Sequence, residues 1–302
     1  MLDLIYNNQY LFQKEIRHNE TIRKSYNKLA MKIYGFQFEE WYQAGFWTDC
    51  YNPYVLLDQD QVVAAIAVNQ MKFNEGGILK NYVQLGTVMT DPEYRNLGLS
   101  RFLMNIIVQE WLPKTEGIYL FANDSVLDFY PKFGFVRQQE SIYTRPIQKS
   151  SKNLLKKIDM NTPCNLDKFA NILENSVANG AFSMRENPGL VMFYVTGFMK
   201  EMVYYLEDKD TFVIAQVEKD KLQIFGIYSE KFVSVDLIVD ALVGFFQLNT
   251  ALVELLFTPV DYADLKYSKR IHNEEGSTLF VMGKGLEKFS ESGFMFETLS
   301  HA

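Results

Sequence analysis

A short loop at residues 94–100 lies between an apolar strand pattern and an apolar helix pattern, and it constrains the fold more than any other feature. The strand pattern covers residues 80–90, and the helix pattern covers residues 98–111 with apolar side chains three and four apart. A loop that leads into a helix N-terminus presents unpaired backbone N–H groups at the positive end of the helix dipole. Because Gly98 has no side chain, a bulky anion can approach the backbone there. The loop is therefore typical of a phosphate or pyrophosphate site.

A second pattern follows the predicted helix. Residues 117–122 form a short apolar segment, as expected for a buried strand, and Asn123 comes directly after it as a good helix N-cap. Residues 124–132 then predict a helix that ends at Gly134, where a glycine is a common helix terminator. Residues 134–145 predict another strand.

The segment before the loop completes this predicted domain. Residues 8–34 carry helical apolar spacing, and residues 39–44 predict a second, short helix. Residues 54–57 and 61–68 predict two strands joined by a polar hairpin turn. The order of these elements indicates a layered α/β structure.

Together, the two patterns resemble those of the GNAT family of acyl-CoA-dependent N-acetyltransferases. Residues 90–100 are similar to the pyrophosphate loop of the family, and residues 123–135 are similar to its second cofactor motif, in matching order and separation. The resemblance covers about residues 50–146 and implies the GNAT acyl-CoA N-acyltransferase fold, an α/β (α+β) structure with a mixed central sheet flanked by helices. The loop lacks the Gly-Lys-Ser/Thr ending of a P-loop and the Gly-x-Gly-x-x-Gly run of a dinucleotide site, which disfavours both alternatives.

The resemblance implies that acetyl-CoA is the cosubstrate. The pantetheine arm is expected to pair with the backbone of Val88, Met89 and Thr90 in the manner of an added strand. The pyrophosphate is expected to bind the backbone N–H groups of the loop, with the Arg95 side chain adding positive charge. The loop residues implied in this role are Arg95, Asn96, Leu97, Gly98, Leu99 and Ser100.

Two further residues carry roles that the resemblance implies. The Tyr130 hydroxyl is expected to protonate the leaving thiolate, and Asn123 is expected to hydrogen-bond the pantetheine arm. Each has a structural alternative, because Tyr130 can be a core tyrosine and Asn123 can simply cap its helix. Pro131 also disfavours a helical conformation at Tyr130, which affects the position of that hydroxyl.

The general base is not evident from the sequence. Many GNAT members use a glutamate on the fourth strand, where this chain has Gln84 and Thr87, and neither side chain accepts a proton usefully near pH 7. The alternatives are water alone, the chain end at His301 and Ala302, or one of three carboxylates, Glu39, Glu40 and Asp49.

Residues 34–54 are rich in aromatic side chains, with nine of them, three acidic side chains and no Lys or Arg. In the GNAT fold this segment borders the acceptor site. Aromatic faces combined with carboxylates suit a protonated amine. The alternative is that most of these rings pack in the core.

A polar segment at residues 148–153 predicts a domain boundary. We expect a GNAT acetyltransferase domain that binds acetyl-CoA at residues 1–147, followed by a second GNAT-like α/β domain at residues 148–302. The second domain is predicted to be degenerate, because its equivalent junction has no phosphate loop and carries Glu230 and Asp236, which oppose an anion. Its expected role is to shape the substrate pocket or to form a homodimer. In architecture alone the chain resembles bacterial proteins of the aminoglycoside-modifying enhanced-intracellular-survival type.

Composition agrees with a globular enzyme of two domains, since 48% of the 302 residues are hydrophobic and 22% are charged. A formal net charge of −7 argues against a nucleic-acid partner and is compatible with a cationic small molecule. We expect no membrane contact and a cytoplasmic location, because no apolar run reaches membrane-spanning length and the N-terminus lacks the basic start of a signal peptide. Cys50 and Cys164 are expected to be free thiols. No metal site is expected, because the three histidines are scattered.

The expected function is transfer of an acetyl group from acetyl-CoA to a primary amine of a small molecule. Two alternatives stay open at this point. The first is a non-catalytic acyl-CoA-binding regulatory protein, which the missing strand glutamate favours. The second is an N-acetyltransferase that acts on proteins.

Overall fold

The computed structural model describes residues 5–6, 9–148, 154–260 and 267–302. Its α-helices are α1 (Glu20–Tyr34), α2 (Glu39–Gln43), α3 (Leu99–Trp111), α4 (Pro163–Asn175), α5 (Pro188–Thr196), α6 (Val235–Phe246) and α7 (Phe289–Ser292). Its strands are β1 (Ile5–Tyr6), β2 (Tyr10–Gln13), β3 (Tyr51–Asp58), β4 (Gln61–Glu75), β5 (Ile78–Thr90), β6 (Gly117–Ala122), β7 (Val136–Arg137), β8 (Glu140–Pro146), β9 (Leu155–Lys157), β10 (Gly180–Arg185), β11 (Val203–Leu206), β12 (Thr211–Glu218), β13 (Lys221–Tyr228), β14 (Leu252–Leu255), β15 (Thr258–Pro259), β16 (Ser268–His272) and β17 (Thr278–Met282).

The strands form two mixed sheets. The first has the order β1-β2-β3-β4-β5-β6-β17-β7, and β10 pairs with both β4 and β15 beside this path. The second has the order β16-β8-β14-β13-β12-β11-β9. Each sheet contains one parallel pair, β5 with β6 and β13 with β14.

The same arrangement occurs once in each sheet. In the first sheet the antiparallel pair β4 and β5 is followed by α3 and then by β6, which runs parallel to β5. In the second sheet β12 and β13 are followed by α6 and then by β14, which runs parallel to β13. Both antiparallel pairs also contain a register shift. The mixed α/β fold that the sequence predicted, with helices flanking the sheets, is confirmed.

Each sheet combines strands from both sides of the predicted boundary at residue 147. β8 precedes that boundary but lies in the second sheet, between β16 and β14. β17 comes from the last part of the chain but lies in the first sheet, between β6 and β7. β10 likewise pairs with β4.

Helices cover both faces of the first sheet around the loop. On one face α3 buries Leu103, Met104 and Ile107 against the sheet. On the other face α1 and α2 pack with an aromatic cluster that includes Phe38 and Trp41. In the described ranges, no helix is both long and apolar enough to cross a membrane.

Two helix predictions are wrong in part. Residues 8–34 are not helical throughout, because β2 pairs with β3 and the helix begins only at Glu20, where the Asn19 side chain accepts a hydrogen bond from the Ile22 N–H at 3.2 Å. Residues 124–132 form short 3-10 turns at Asp124–Val126 and Tyr130–Phe133 rather than an α-helix. Pro131 explains the second difference, since it lacks an N–H and restricts the residue before it.

Candidate active site

The predicted pyrophosphate loop leads directly into α3. Asn96 and Gly98 both adopt left-handed backbone conformations, with φ of 64° and 82°. Glycine adopts such a conformation at little cost, and asparagine is among the residues that tolerate it best. The first helical hydrogen bond runs from the Phe102 N–H to the Gly98 carbonyl oxygen at 3.0 Å. The N–H groups of the preceding residues therefore lack helical partners, as an anion site requires.

Side-chain hydrogen bonds fix the two ends of this loop. At its start, the buried Asp91 carboxylate accepts from the Lys32 ammonium at 2.8 and 2.9 Å and from the Glu93 N–H at 3.1 Å. Burial acts to raise the pKa of Asp91, but the hydrogen bonds from Lys32 and Glu93 outweigh it and lower that pKa. At its end, the hydroxyl oxygens of Thr90 and Ser100 lie 2.6 Å apart. Strand, loop and helix are thus held together.

The strand before the loop leaves its neighbour and opens a gap in the sheet. The parallel pairing of β5 with β6 ends at Leu85, whereas β5 continues to Thr90. A bulge in β5 lies at the same place, where Thr87 has a φ of 47° and one extra residue is inserted opposite β4. The gap gives an extended ligand access to the backbone of β5.

A single cleft of about 1260 Å³ occupies this gap. It is lined by residues from three separate segments of the chain, together with the aromatic Tyr34 and Phe36 and the C-terminal residues His301 and Ala302. All eleven residues that the sequence predicted for the site line it: Val88, Met89, Thr90, Arg95, Asn96, Leu97, Gly98, Leu99, Ser100, Asn123 and Tyr130.

Tyr130 and Asn123 lie on the wall formed by the chain after β6. The Tyr130 ring is 4% exposed and packs against Phe280 of β17 at a centroid distance of 5.7 Å. Burial raises the pKa of Tyr130, so its hydroxyl keeps its proton near neutral pH. Asn123 is exposed, and within the described residues its side chain makes no capping hydrogen bond to the turn that follows.

The three candidate carboxylates lie outside the described lining of the cleft. Glu39 accepts hydrogen bonds from Arg23, Asn27 and Gln43, and the bond from Arg23 lowers its pKa. Asp49 pairs with Arg17 at 2.7 Å. Among the lining residues that the structure describes there is no Asp or Glu side chain. Of the proton acceptors that the sequence suggested, other than water, only His301 and Ala302 lie in the cleft.

Residues 301 and 302 are held against β5 by contacts that the sequence did not predict. The Gln84 side chain hydrogen-bonds both backbone groups of Ala302, at 3.2 Å to its carbonyl oxygen and 2.9 Å from its N–H. Gly86 faces the same residue, since a Cβ there would lie 2.0 Å from the Ala302 oxygen.

The His301 ring stacks on Phe121 at a centroid distance of 3.7 Å. The Tyr194 hydroxyl donates to the His301 carbonyl oxygen. Burial lowers the pKa of His301 to about 4. One feature of the sequence pointed to this cluster, namely the polar Gln84 between the apolar Val83 and Leu85.

The aromatic residues of segment 34–54 divide between core and site. Five of them are buried: Phe38, Trp41, Trp47, Tyr51 and Tyr54. Four residues of the segment also line a cavity of about 200 Å³ next to the cleft, which we call the aromatic pocket. The described lining of the aromatic pocket is Phe36, Phe38, Trp41, Tyr51, Thr87, Leu190, Phe193, Tyr194, Phe198, His301 and Ala302.

Residues 49–137 match the family model for an acetyltransferase (GNAT) domain. The chain contains a GNAT acetyltransferase domain. The resemblance inferred from the sequence is thereby confirmed. The GNAT match includes β3 to β6, the loop and α3, together with Asn123 and Tyr130.

A curated relative matches part of this GNAT domain. The chain is 41% identical over 56 residues to GCN5-related N-acetyltransferase 2, chloroplastic, from Arabidopsis thaliana. The match covers 18% of this chain and 22% of the relative, so it spans about a fifth of that protein.

Solved structures resemble the chain over most of its length. A conserved protein of unknown function from Enterococcus faecalis V583, described as a probable N-acyltransferase, has a TM-score of 0.58 at 17% identity, covering 93% of this chain and 74% of the other. A GCN5-related N-acetyltransferase from Kribbella flavida has a TM-score of 0.54 at 16% identity, covering 92% and 72%. Eis1 from Mycobacterium abscessus has a TM-score of 0.55 at 12% identity, covering 89% and 72%. At these identities the similarity concerns the GNAT fold.

Proposed function

We propose that the protein transfers an acetyl group from acetyl-CoA to a primary amine of a small molecule. One observation carries the proposal: a single cleft is lined by the helix N-terminal loop, by the end of β5 that has separated from β6, and by Asn123 and Tyr130. An extended thioester with a pyrophosphate at one end matches this combination of a strand edge and an anion site.

The loop and the strand would bind different parts of acetyl-CoA. The N–H groups at the start of α3 and the Arg95 side chain would hold the pyrophosphate. The backbone of residues 88–90 would pair with the pantetheine arm. The Val88 carbonyl oxygen already accepts from the Tyr34 hydroxyl at 2.8 Å, so the pantetheine arm would either use the second lone pair of that oxygen or displace the Tyr34 hydroxyl. No metal takes part in the proposed reaction.

In the proposed reaction the neutral amine nitrogen bonds to the thioester carbonyl carbon and the carbon–sulfur bond breaks. The Tyr130 hydroxyl, which burial keeps protonated and which lies in the cleft wall, gives its proton to the departing thiolate. The amine proton leaves to solvent in the cleft beside His301 and Ala302. Solvent then returns a proton to Tyr130, so that the products are the amide and free CoA.

The second half of the chain supports a small-molecule acceptor. Leu190, Phe193 and Tyr194 of α5 lie beside the cleft in the aromatic pocket and narrow the space next to β5. We therefore propose that residues 148–302 shape the acceptor pocket, and the alternative role for them is to form a homodimer.

We place the reaction in the cytoplasm, a compartment that keeps thiols reduced, because Cys50 and Cys164 are free cysteines.

A non-catalytic acyl-CoA-binding protein is the second candidate. The observation that favours it is the lack of Asp and Glu side chains among the described residues that line the cleft. Such a protein would bind acetyl-CoA without releasing free CoA when amines are added.

The test uses the full chain and two substitutions at one position. Acetyl-CoA at about 100 times its Kd should raise the melting temperature by roughly 5 °C. Gly98→Glu should abolish this shift, because it places bulk and negative charge at the pyrophosphate site. Gly98→Ala is the matched control, since it carries the same left-handed backbone strain without the charge.

Thiol release with a panel of amines then separates the two candidates. Binding with thiol release supports the acetyltransferase, and binding without it supports the regulatory protein. Unchanged binding by a folded Gly98→Glu protein would contradict both.

A further inference from the structure

The aromatic pocket is continuous with the proposed cofactor cleft. Phe36, Thr87, His301 and Ala302 line both spaces. Thr87 is the bulge residue of β5, next to the backbone that would hold the reactive end of the pantetheine arm. A molecule in the aromatic pocket would therefore meet the thioester at the Thr87 end.

The polar atoms on the rings of this pocket have partners, except the Nε2 atom of His301, which is buried and has none among the described residues. The Tyr51 hydroxyl lies 2.9 Å from the Thr87 hydroxyl and also contacts the Tyr26 hydroxyl. The Tyr194 hydroxyl donates to the His301 carbonyl oxygen. The indole N–H of Trp41 donates to the Gly189 carbonyl oxygen at 2.7 Å. A ligand thus meets mainly ring faces and edges.

The described lining of the pocket also lacks charged side chains, since it contains no Asp, Glu, Lys or Arg. Two of the three carboxylates of segment 34–54 form ion pairs outside the pocket, Glu39 with Arg23 and Asp49 with Arg17. A molecule with several positive charges would lose its hydration in this pocket and would find no charged side chain there among the described residues to pair with.

The size of the pocket sets the size of the group that it can hold. An apolar cavity of about 150 Å³ binds benzene. The aromatic pocket, at about 200 Å³, has room for one such ring and a short chain. At its mouth Phe198 is 60% exposed and stands edge-on to Phe36 at 5.6 Å and to Phe193 at 5.7 Å.

We propose that the aromatic pocket binds the apolar body of the acceptor, so that the protein selects a primary amine carried by an aromatic or branched-alkyl group and disfavours polyamines. The amine nitrogen lies at the Thr87 end, where the pocket joins the cleft. This inference rests on the proposed function for the identity of the acceptor.

The experiment measures amine binding to the full chain saturated with CoA, by calorimetry, so that no turnover is needed. The probes are 2-phenylethylamine, which has one ring and one amine, and spermidine, a polyamine. We expect 2-phenylethylamine to bind at least about tenfold more tightly. Equal or tighter binding of spermidine would overturn the proposal.

Two substitutions then locate the binding site. Phe198→Asp should weaken 2-phenylethylamine binding by about tenfold, because it puts a carboxylate among the rings at the mouth. Phe232→Asp is the matched control, since Phe232 is 59% exposed and lies outside the described lining of the aromatic pocket. If both variants bind alike, the aromatic pocket is not the site.

The two proposals fail in different ways. If 2-phenylethylamine binds at Phe198 but no amine is acetylated, the acetyltransferase proposal fails and the pocket assignment holds. If spermidine is acetylated and 2-phenylethylamine is not, acetyl transfer holds and the selectivity proposed here is wrong.

Discussion

The Gln84 side chain holds the backbone of Ala302 through two hydrogen bonds, donating to its carbonyl oxygen at 3.2 Å and accepting from its N–H at 2.9 Å. Gln84 lies near the point where β5 leaves β6 and lines the cleft. Its side-chain amide does not accept a proton near pH 7, so it cannot serve as the general base. Gln84 instead fixes Ala302, which lines the cleft.

Replacing Gln84 with Met should therefore destabilise the protein by about 1–3 kcal/mol, because both backbone groups of Ala302 lose their buried partner. Urea unfolding measures the loss. Gln70→Met on the neighbouring strand is the control, since Gln70 is exposed and makes only a 3.4 Å hydrogen bond, so its effect should stay within about 0.5 kcal/mol. Equal effects at the two positions would contradict the anchoring role.

Tyr130→Phe tests the proposed acid. It removes the hydroxyl but keeps the ring against Phe280, so acetyl-CoA affinity should hardly change while kcat falls on the order of a hundredfold. Turnover is measured by thiol release with the best amine. Tyr82→Phe is the control, a buried tyrosine of β5 outside the described lining of the cleft. Wild-type turnover by Tyr130→Phe, with chemistry rate-limiting, would show that solvent supplies the proton.

Asp91→Asn tests the support of the phosphate loop. The change removes the charge that binds Lys32, while an amide oxygen can still accept from the Glu93 N–H. We expect acetyl-CoA to bind on the order of tenfold more weakly, because the loop loses a charge-assisted hydrogen bond. The Kd is measured by calorimetry. Asp60→Asn, in the exposed turn between β3 and β4, should bind as the wild type does.

Glu297→Gln should change how stability depends on pH. Glu297 is 8% exposed and accepts from the Met184 N–H at 3.2 Å, and burial raises its pKa to about 7. Between its unfolded pKa near 4.5 and this value, the folded protein holds a proton that the unfolded chain releases. The stability that this proton contributes is full below pH 4.5 and is lost as the pH rises to about 7.

The stability of the Glu297→Gln variant lacks this dependence on pH, because glutamine does not titrate. Wild type should therefore lose on the order of 3 kcal/mol relative to Glu297→Gln between pH 4.5 and pH 7. Denaturant unfolding of both proteins across this range measures the difference, and titration of other groups cancels in the comparison. Parallel curves would mean that Glu297 does not titrate in this range.

The parts of the site that the sequence predicted are local. Arg95 to Ser100 form one loop whose conformation depends mainly on Gly98 and on the helix that follows, so a short pattern was sufficient. Asn123 and Tyr130 come directly after a strand that lies parallel to β5, which brings them to the same cleft. In each case the neighbouring residues in sequence determine the geometry.

The parts that the sequence did not predict depend on distant pairing. The apolar run at residues 279–282 predicts a strand but not that its partners are β6 and β7. Residues 10–13 carry helical spacing, yet they form a strand because β3 offers an edge. The contact of Gln84 with Ala302 spans most of the chain and leaves no periodic signal. In such segments, tertiary contacts override the helix or strand preference of the local sequence.

The position of β17 between β6 and β7 has a consequence for how the protein is made. β6 and β7 leave the ribosome well before β17 and lack a common partner until it arrives. Their open edges can then template aggregation, and a pairing so distant in sequence forms slowly. Phe280, which supports the Tyr130 ring, also arrives with β17. A nascent chain therefore contains both residues 90–100 and residues 123–135 long before Phe280 is present to pack against Tyr130.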